Sequence, residues 1–140
     1  MKVKRSLRIA SDLGELERLH DAVAELGEAG NWPSDLVYQI DLVLEELIVN
    51  TVNYGYDDDV RHEIEITLTA DEDVITVEII DDGHAFNPLE DIPEPDLDAE
   101  IEDRPIGGLG IHLVRVTMDE VHYQREKNKN YLTLIKRRNG

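Results

Sequence analysis

Three short segments hold most of the side chains that could do chemistry in this chain. The first is DLVLEELIVNTVNYGY, residues 41–56. Val37, Ile40, Leu44, Leu47, Ile48 and Thr51 recur at helical spacing and form one stripe. At ~100° per residue, Glu46, Asn50 and Asn53 fall within about 60° of each other on the opposite side. Facing water is the simplest role for such a trio. Asparagine, however, is a poor helix-interior residue because its amide competes for backbone bonds, and here two stand three residues apart. Leu42, Val43 and Val49 border them instead of further charges. A carboxylate and two amides in that setting can offer oxygens to a hard cation and a base to a reacting hydroxyl. The helix alone leaves both readings open.

The second segment is EIIDDGHAF, residues 78–86. An acidic pair and a glycine at the exit of an apolar strand are common turn chemistry. They could equally supply an aspartate that accepts from a buried ligand amine, with Gly83 letting the backbone pass close to that ligand. The third segment is PIGGLGIHLV, residues 105–114. Glycines at a helix entrance leave N–H groups free at the positive end of the helix, which suits an anion. It lacks the Gly-Lys-Ser/Thr of a P-loop, and no βαβ unit surrounds it as a dinucleotide fingerprint requires.

The elements that must position these residues can be read from periodicity. Residues 3–9 suggest a strand. Ser11 or Asp12 can cap a helix to about residue 29, with Leu16, Leu19, Val23 and Leu26 as its stripe. Pro33 suits the first turn of a second helix that stops at Gly55. Residues 62–70 alternate, Ile64, Ile66, Leu68 and Ala70 inward, and pair through the turn at 71–73 with a strand at 74–80. Residues 84–106 hold four of the five prolines and a dense run of acids. A loop of more than ~12–15 residues in a compact domain is usually a lid or a binding loop. A helix to about Met118 follows, then strands near 119–126 and 131–137 around a turn at Lys127-Asn128-Lys129. Strands gathered in pairs argue for α+β, with helices covering one face of a largely antiparallel sheet.

Composition bounds the function. The 140 residues suggest one domain, 1–140, with no internal repeat. The 32 acidic against 14 basic residues give a net charge of −18. Such a surface repels phosphate backbones and anionic headgroups, so neither nucleic acid nor membrane is expected as a partner. There is no cysteine, which removes disulfides, thiol nucleophiles and thiolate metal sites. No apolar run reaches the ~18 residues of a membrane span, and the basic N-terminus lacks the apolar stretch of a secretion signal. A cytoplasmic location is the expectation. The five histidines show no metal-ligand spacing. Asp57-Asp58-Asp59 reads as a solvated turn, and Lys136-Arg137-Arg138 as a solvated terminus.

In this order and at these separations the three segments resemble the nucleotide-binding boxes of the GHKL, or Bergerat-fold, ATPases. The resemblance is strongest to the small anti-sigma factor serine/threonine kinases, and it covers essentially the whole chain. The helix motif appears as Glu46-Leu-Ile-Val-Asn50 with Tyr54-Gly55-Tyr56. The Asp-x-Gly box appears as Asp81-Asp82-Gly83, and the second glycine box as Gly107-Gly108-Leu109-Gly110-Ile111.

The resemblance implies a two-layer sandwich in which a largely antiparallel mixed sheet carries helices on one face, the histidine-kinase-like ATPase fold. It implies that Asn50 coordinates a Mg²⁺ bridging the ATP phosphates, that Glu46 is the general base, and that Asp81 accepts from the adenine amino group beside Gly83. Gly107, Gly108, Leu109, Gly110 and Ile111 would meet the phosphates, with 84–106 as the ATP lid and its acids on the outer face. Asn53, Arg104 and His112 are further candidate contacts. Ala85 stands where the family's second glycine is usual, a change small enough to admit the nucleotide. The family's late-strand threonine that backs the adenine aspartate has no obvious match; Asn130 stands near its place, with Thr133 further along. The implied function is an ATP-dependent kinase acting on an anti-anti-sigma protein with a target serine, with a sigma factor as a second partner and a homodimer allowed. The alternative is an ATP-gated interaction module of the same fold without kinase turnover. The catalytic domain of a sensor histidine kinase is not expected, since no phospho-acceptor helix fits in these residues.

Overall fold

A computed structural model describes residues 2–56, 62–85, 87 and 108–138; for Tyr54 and residues 108–111 it describes the backbone alone. The described elements are β1 (Val3–Ala10), α1 (Leu16–Ala29), α2 (Ser34–Tyr54), β2 (Glu63–Ala70), β3 (Val74–Asp81), α3 (Gly108–Thr117), β4 (Glu120–Glu126) and β5 (Lys129–Arg137). A one-turn 3₁₀ segment, Leu13–Glu15, precedes α1. Its start is capped by Asp12, whose Oδ1 accepts from the Gly14 amide at 2.9 Å, satisfying one of the N–H groups a helix start leaves open.

The strands form one sheet in the order β1-β2-β3-β5-β4, and every pairing among them is antiparallel. Alternation decides the layers. Ile64, Ile66, Leu68 and Ala70 of β2, Ile75, Val77 and Ile79 of β3, and Leu132 and Leu134 of β5 are buried. They share one core with Leu19, Val23 and Leu26 of α1 and Ile40, Val43, Leu44, Leu47 and Ile48 of α2. The helices therefore cover one face of the sheet, the α+β sandwich that paired strands and amphipathic helices require.

Two local expectations change. The hairpin joining β4 and β5 turns on two residues: Lys127 and Asn128 both take positive φ, 51° and 64°. That is the conformation that matches the twist of paired strands. Lys129 therefore already belongs to β5, and Asn130 lies in the ladder opposite Asp81 on one side and Arg125 on the other. The basic terminus is also not simply solvated. Arg138 donates to the Asp71 carbonyl at 2.8 Å and to the Gly30 carbonyl at 3.1 Å, tying the end of β5 to two turns.

Candidate functional site

The polar trio of α2 separates because burial wraps far around this helix. α2 packs on the sheet and against both α1 and α3. Leu36, Ile40, Val43, Leu44, Leu47 and Ile48 are all buried, an arc of roughly 140° at ~100° per residue. Asn50 falls at the rim of that arc and is only 3% exposed. Glu46 lies about 40° further round and is half-buried, while Asn53 is exposed. The expectation that all three share a side opposite the apolar stripe fails for Asn50.

Asn50 sits in a pocket with Leu47, Thr51, Gly55, Ile79, Asp81, Tyr123, Asn130 and Leu132. Its Nδ2 is buried and has no hydrogen-bond partner among the described residues. An unsatisfied buried polar group costs roughly 1–3 kcal/mol, so a side chain like this is out of place unless something else meets it. Asn50 and Asp81, read from separate motifs, thus line one cavity.

Asp81 ends β3 and is buried. Its Oδ1 accepts from the Gly83 amide at 2.9 Å and from Asn130 Nδ2 at 2.9 Å. Burial pushes its carboxyl above the ordinary aspartate range; the Asn130 and Gly83 donors pull it back, the Asp82 charge adds to the rise, and Arg125 opposes it. Asn130 Nδ2 also donates to the His84 carbonyl at 2.9 Å, and Tyr123 donates to Asn130 Oδ1 at 2.5 Å. Arg125 donates to the Gly83 carbonyl at 2.6 Å. The β4–β5 hairpin therefore holds Asp81 at the end of β3 and clamps the loop after it at Gly83 and His84. Tyr123 and Arg125 were absent from the sequence reading. The signal that could have found them is the two-residue turn, which fixes the strand register and sets Arg125 beside Asn130.

Gly83 has a reason of its own. A Cβ there would lie 2.4 Å from the Gly55 carbonyl oxygen and 3.0 Å from Asp81 Oδ1. The close approach seen is thus to the end of α2, where the His84 amide also donates to Gly55 O at 2.9 Å. This contact stitches the α2 motif to the Asp81 motif. Gly83→Ala is expected to destabilise the fold by about 1–3 kcal/mol, because the obstacle is backbone and cannot swing away. A urea titration checks it; a variant as stable as wild type would show that the loop does not hold α2.

Glu46 carries a carboxyl raised above the ordinary glutamate range, first by burial and second by the neighbouring Glu45 charge. A raised carboxyl is a better base near neutral pH. Of the other expected site residues, Ala85 is exposed and its carbonyl faces His84 Nδ1 at 3.4 Å. Gly108, Leu109, Gly110 and Ile111 form the first turn of α3, and His112 follows half-buried. Arg104, Gly107 and nearly all of the 84–106 segment lie outside the described residues. Thr133 pairs with Glu78 on β3, three residues along from the Asp81–Asn130 pair, on the sheet face away from the helices. Among the described residues no three His, Asp or Glu side chains gather into a metal site.

Asp81 gives a pH signature. Its folded carboxyl titrates above the ordinary value near 3.8, so its burial costs nothing while both states are protonated and costs most once the folded group has ionised. Asp81→Asn keeps an acceptor for Gly83 and Asn130 without the charge. Its stability relative to wild type is therefore expected to grow as pH rises from below 3.8 through the raised folded value. Denaturant midpoints measured across that range test the sign; a gap that shrinks with rising pH would contradict it.

The five-stranded antiparallel sheet with helices on one face is the fold that the GHKL resemblance implies, and Asp81 and Asn50 share a pocket at the end of α2. Residues 9–136 match the family described as the histidine kinase-like ATPase domain. The chain belongs to that family. It is similar to the serine/threonine-protein kinase BtrW of Bordetella bronchiseptica, at 29% identity over 103 residues, 74% of this chain and 72% of that protein. It is also similar to the anti-sigma F factor of Clostridium beijerinckii, at 25% identity over 104 residues, 74% of this chain and 72% of that protein. Among solved structures, the histidine kinase domain of the Erythrobacter litoralis EL346 blue-light activated histidine kinase superposes with a TM-score of 0.57 at 15% identity. That match covers 91% of this chain and 61% of the solved one, and bears on the fold alone. Among the described residues, no helix is long and apolar enough to cross a membrane.

Proposed function

We propose that the chain is an ATP-binding anti-sigma regulatory factor that phosphorylates a serine or threonine of an anti-anti-sigma protein and also engages a sigma factor. The nucleotide half of this reading is carried by Asn50, a buried amide with an unpartnered nitrogen in the same pocket as Asp81. Such an orphan fits a group that only a ligand would complete. The names of the kinase and anti-sigma relatives support the regulatory half.

Asp81, already oriented by Gly83 and Asn130, would accept from the adenine amine through its remaining lone pairs. Asn50 would hold Mg²⁺ through its amide oxygen, a neutral ligand suited to an ion that takes most of its charge from phosphates and keeps several waters. When bound, Mg²⁺ would neutralise charge on the transferring phosphoryl group. Glu46, one turn before Asn50, would take the proton of the incoming hydroxyl. The N–H groups at the start of α3 would receive the phosphates, together with Arg104 and Gly107. The protein partners would be a serine-bearing antagonist and a sigma factor, in the cytoplasm, and with transcription as what is regulated.

Mg·ATP is expected to stabilise the fold, by roughly 2.7 kcal/mol at 100 times its dissociation constant. The test couples a thermal melt with and without millimolar Mg·ATP to transfer of labelled phosphate onto a co-purified partner. An unchanged melt would remove the ATP site. An ATP-dependent complex with no transfer would leave an interaction module in place of a kinase.

A further inference from the structure

The Asp81 carboxylate ends a run of hydrogen bonds that starts on β4. Tyr123 stands opposite Leu132 in the β4–β5 ladder, so Asn130 is its diagonal neighbour on the same face. Diagonal partners lie about 7–8 Å apart, within reach of an aromatic side chain. The Tyr123 hydroxyl donates to Asn130 Oδ1 at 2.5 Å. Asn130 Nδ2 donates in turn to Asp81 Oδ1 and to the His84 carbonyl, each at 2.9 Å. The Gly83 amide also donates to Oδ1, so both donors that Asp81 meets among the described residues fall on one oxygen. Oδ2 is left for a ligand.

The direction of this run is set by what each group can do. An ionised carboxylate and a main-chain carbonyl accept and cannot donate, so the Asn130 amide presents its nitrogen to them. Its oxygen then faces β4, and Asn130 is only 4% exposed, too deep for solvent to serve that oxygen. The Tyr123 hydroxyl serves it. A buried acceptor stripped of its donor carries the cost of its desolvation, and turning the amide over is one relief. The turned amide sets its oxygen against Asp81, whose carboxylate must then swing away or take up a proton. Either change spoils Oδ2 as an acceptor. The Tyr123 ring has a separate job: it packs against the core and lines the pocket beside Leu132 and Asn130. Phenylalanine keeps that ring and removes only the hydroxyl.

We propose that Tyr123 is a positioning residue for recognition of the base: acting through Asn130, its hydroxyl holds Asp81 as an acceptor aimed at the exocyclic amine of an aminopurine. Discrimination between purines that carry and purines that lack this amine then depends on a hydroxyl that makes no contact with the nucleotide. This role rests on the nucleotide reading of the pocket. Arg125, directly opposite Asn130, stands outside the run, since its guanidinium donates to the Gly83 carbonyl and holds the loop instead.

The test compares Mg·ATP with Mg·purine riboside triphosphate, the analogue without that amine, by calorimetric titration of the full chain. Wild type is expected to prefer ATP. Tyr123→Phe is expected to lose about three- to tenfold of its ATP affinity, the usual worth of one hydrogen bond, with its affinity for the analogue unchanged. A hydroxyl that only braced the fold would weaken both nucleotides alike. Asn130→Leu closes a double-mutant cycle: in that background Tyr123→Phe is expected to cost nothing further, whereas a hydroxyl touching the nucleotide itself costs the same with or without Asn130. Thermal melts show that each variant is folded; should Asn130→Leu not fold, the two-nucleotide comparison on Tyr123→Phe decides. An equal loss for both nucleotides, an unchanged ATP affinity or an additive cycle overturns the role of Tyr123 and leaves the nucleotide site standing. Wild type that binds neither nucleotide overturns the nucleotide reading, and wild type that binds both equally overturns the Asp81–amine contact; the role of Tyr123 falls with either.

Discussion

Glu46→Ala is expected to lose phosphoryl transfer by about 10²–10⁴-fold, the usual contribution of a positioned general base, while keeping ATP and partner binding. The asymmetry follows from where the side chain sits. Glu46 is half-buried at the rim of α2 and does not line the pocket that holds Asn50 and Asp81. Removing it takes away a carboxylate raised by burial and by Glu45, without opening a hole in the core. Asn50→Ala acts differently. It deletes the buried amide, so Mg·ATP binding itself is expected to fail and transfer with it, whereas the nucleotide-free fold loses no hydrogen bond from Nδ2. The measurement is transfer of labelled phosphate to a partner serine, run beside a nucleotide titration for each variant. Transfer by Glu46→Ala at the wild-type rate would move the base to another residue. A wild-type pH–rate profile adds a check: the rate should fall on acidification at a pH above the ordinary glutamate range, since the raised carboxyl is protonated earlier.

Asp81→Asn is expected to weaken nucleotide binding by about 10- to 150-fold, the equivalent of roughly 1.5–3 kcal/mol for a charged acceptor lost to a donor. The fold is expected to survive. Asn at 81 retains an oxygen for the Gly83 amide and for Asn130 Nδ2, the two donors that hold Asp81 now. It also relieves the burial of a charge. Calorimetric titration with Mg·ATP, beside a melt of the nucleotide-free variant, separates the two effects. A variant that unfolds while its folded fraction binds normally would make Asp81 a turn residue and nothing more.

Hydrophobic periodicity made much of the fold legible. The alternation at 62–70 and 74–80, the stripes of α1 and α2, and the breaks at Pro33 and Gly55 are local signals, and the structure has its elements at those places. The glycine box, the acidic pair at a strand end and the Glu46–Asn50 spacing were equally plain, because each motif is contiguous in the chain.

What the chain could not reveal was how these motifs meet. Periodicity placed Asn50 opposite the core stripe, but three neighbours pack around α2 and extend burial past that stripe, turning a solvent-facing amide into an unpartnered buried one. The Asn130–Asp81 bond depends on strand order and on a two-residue turn; one residue of slip would have sent Asn130 to the other face of the sheet. Gly83 looked like room for a ligand, and its immediate obstacle is the Gly55 carbonyl, 28 positions earlier in the sequence. The sequence by itself determined where helices and strands form and which side chains are candidates for chemistry, because those are properties of spacing and side-chain type. Tertiary structure alone decided which of them share a cavity, because burial and register are set by elements distant in sequence, whose packing no local pattern records.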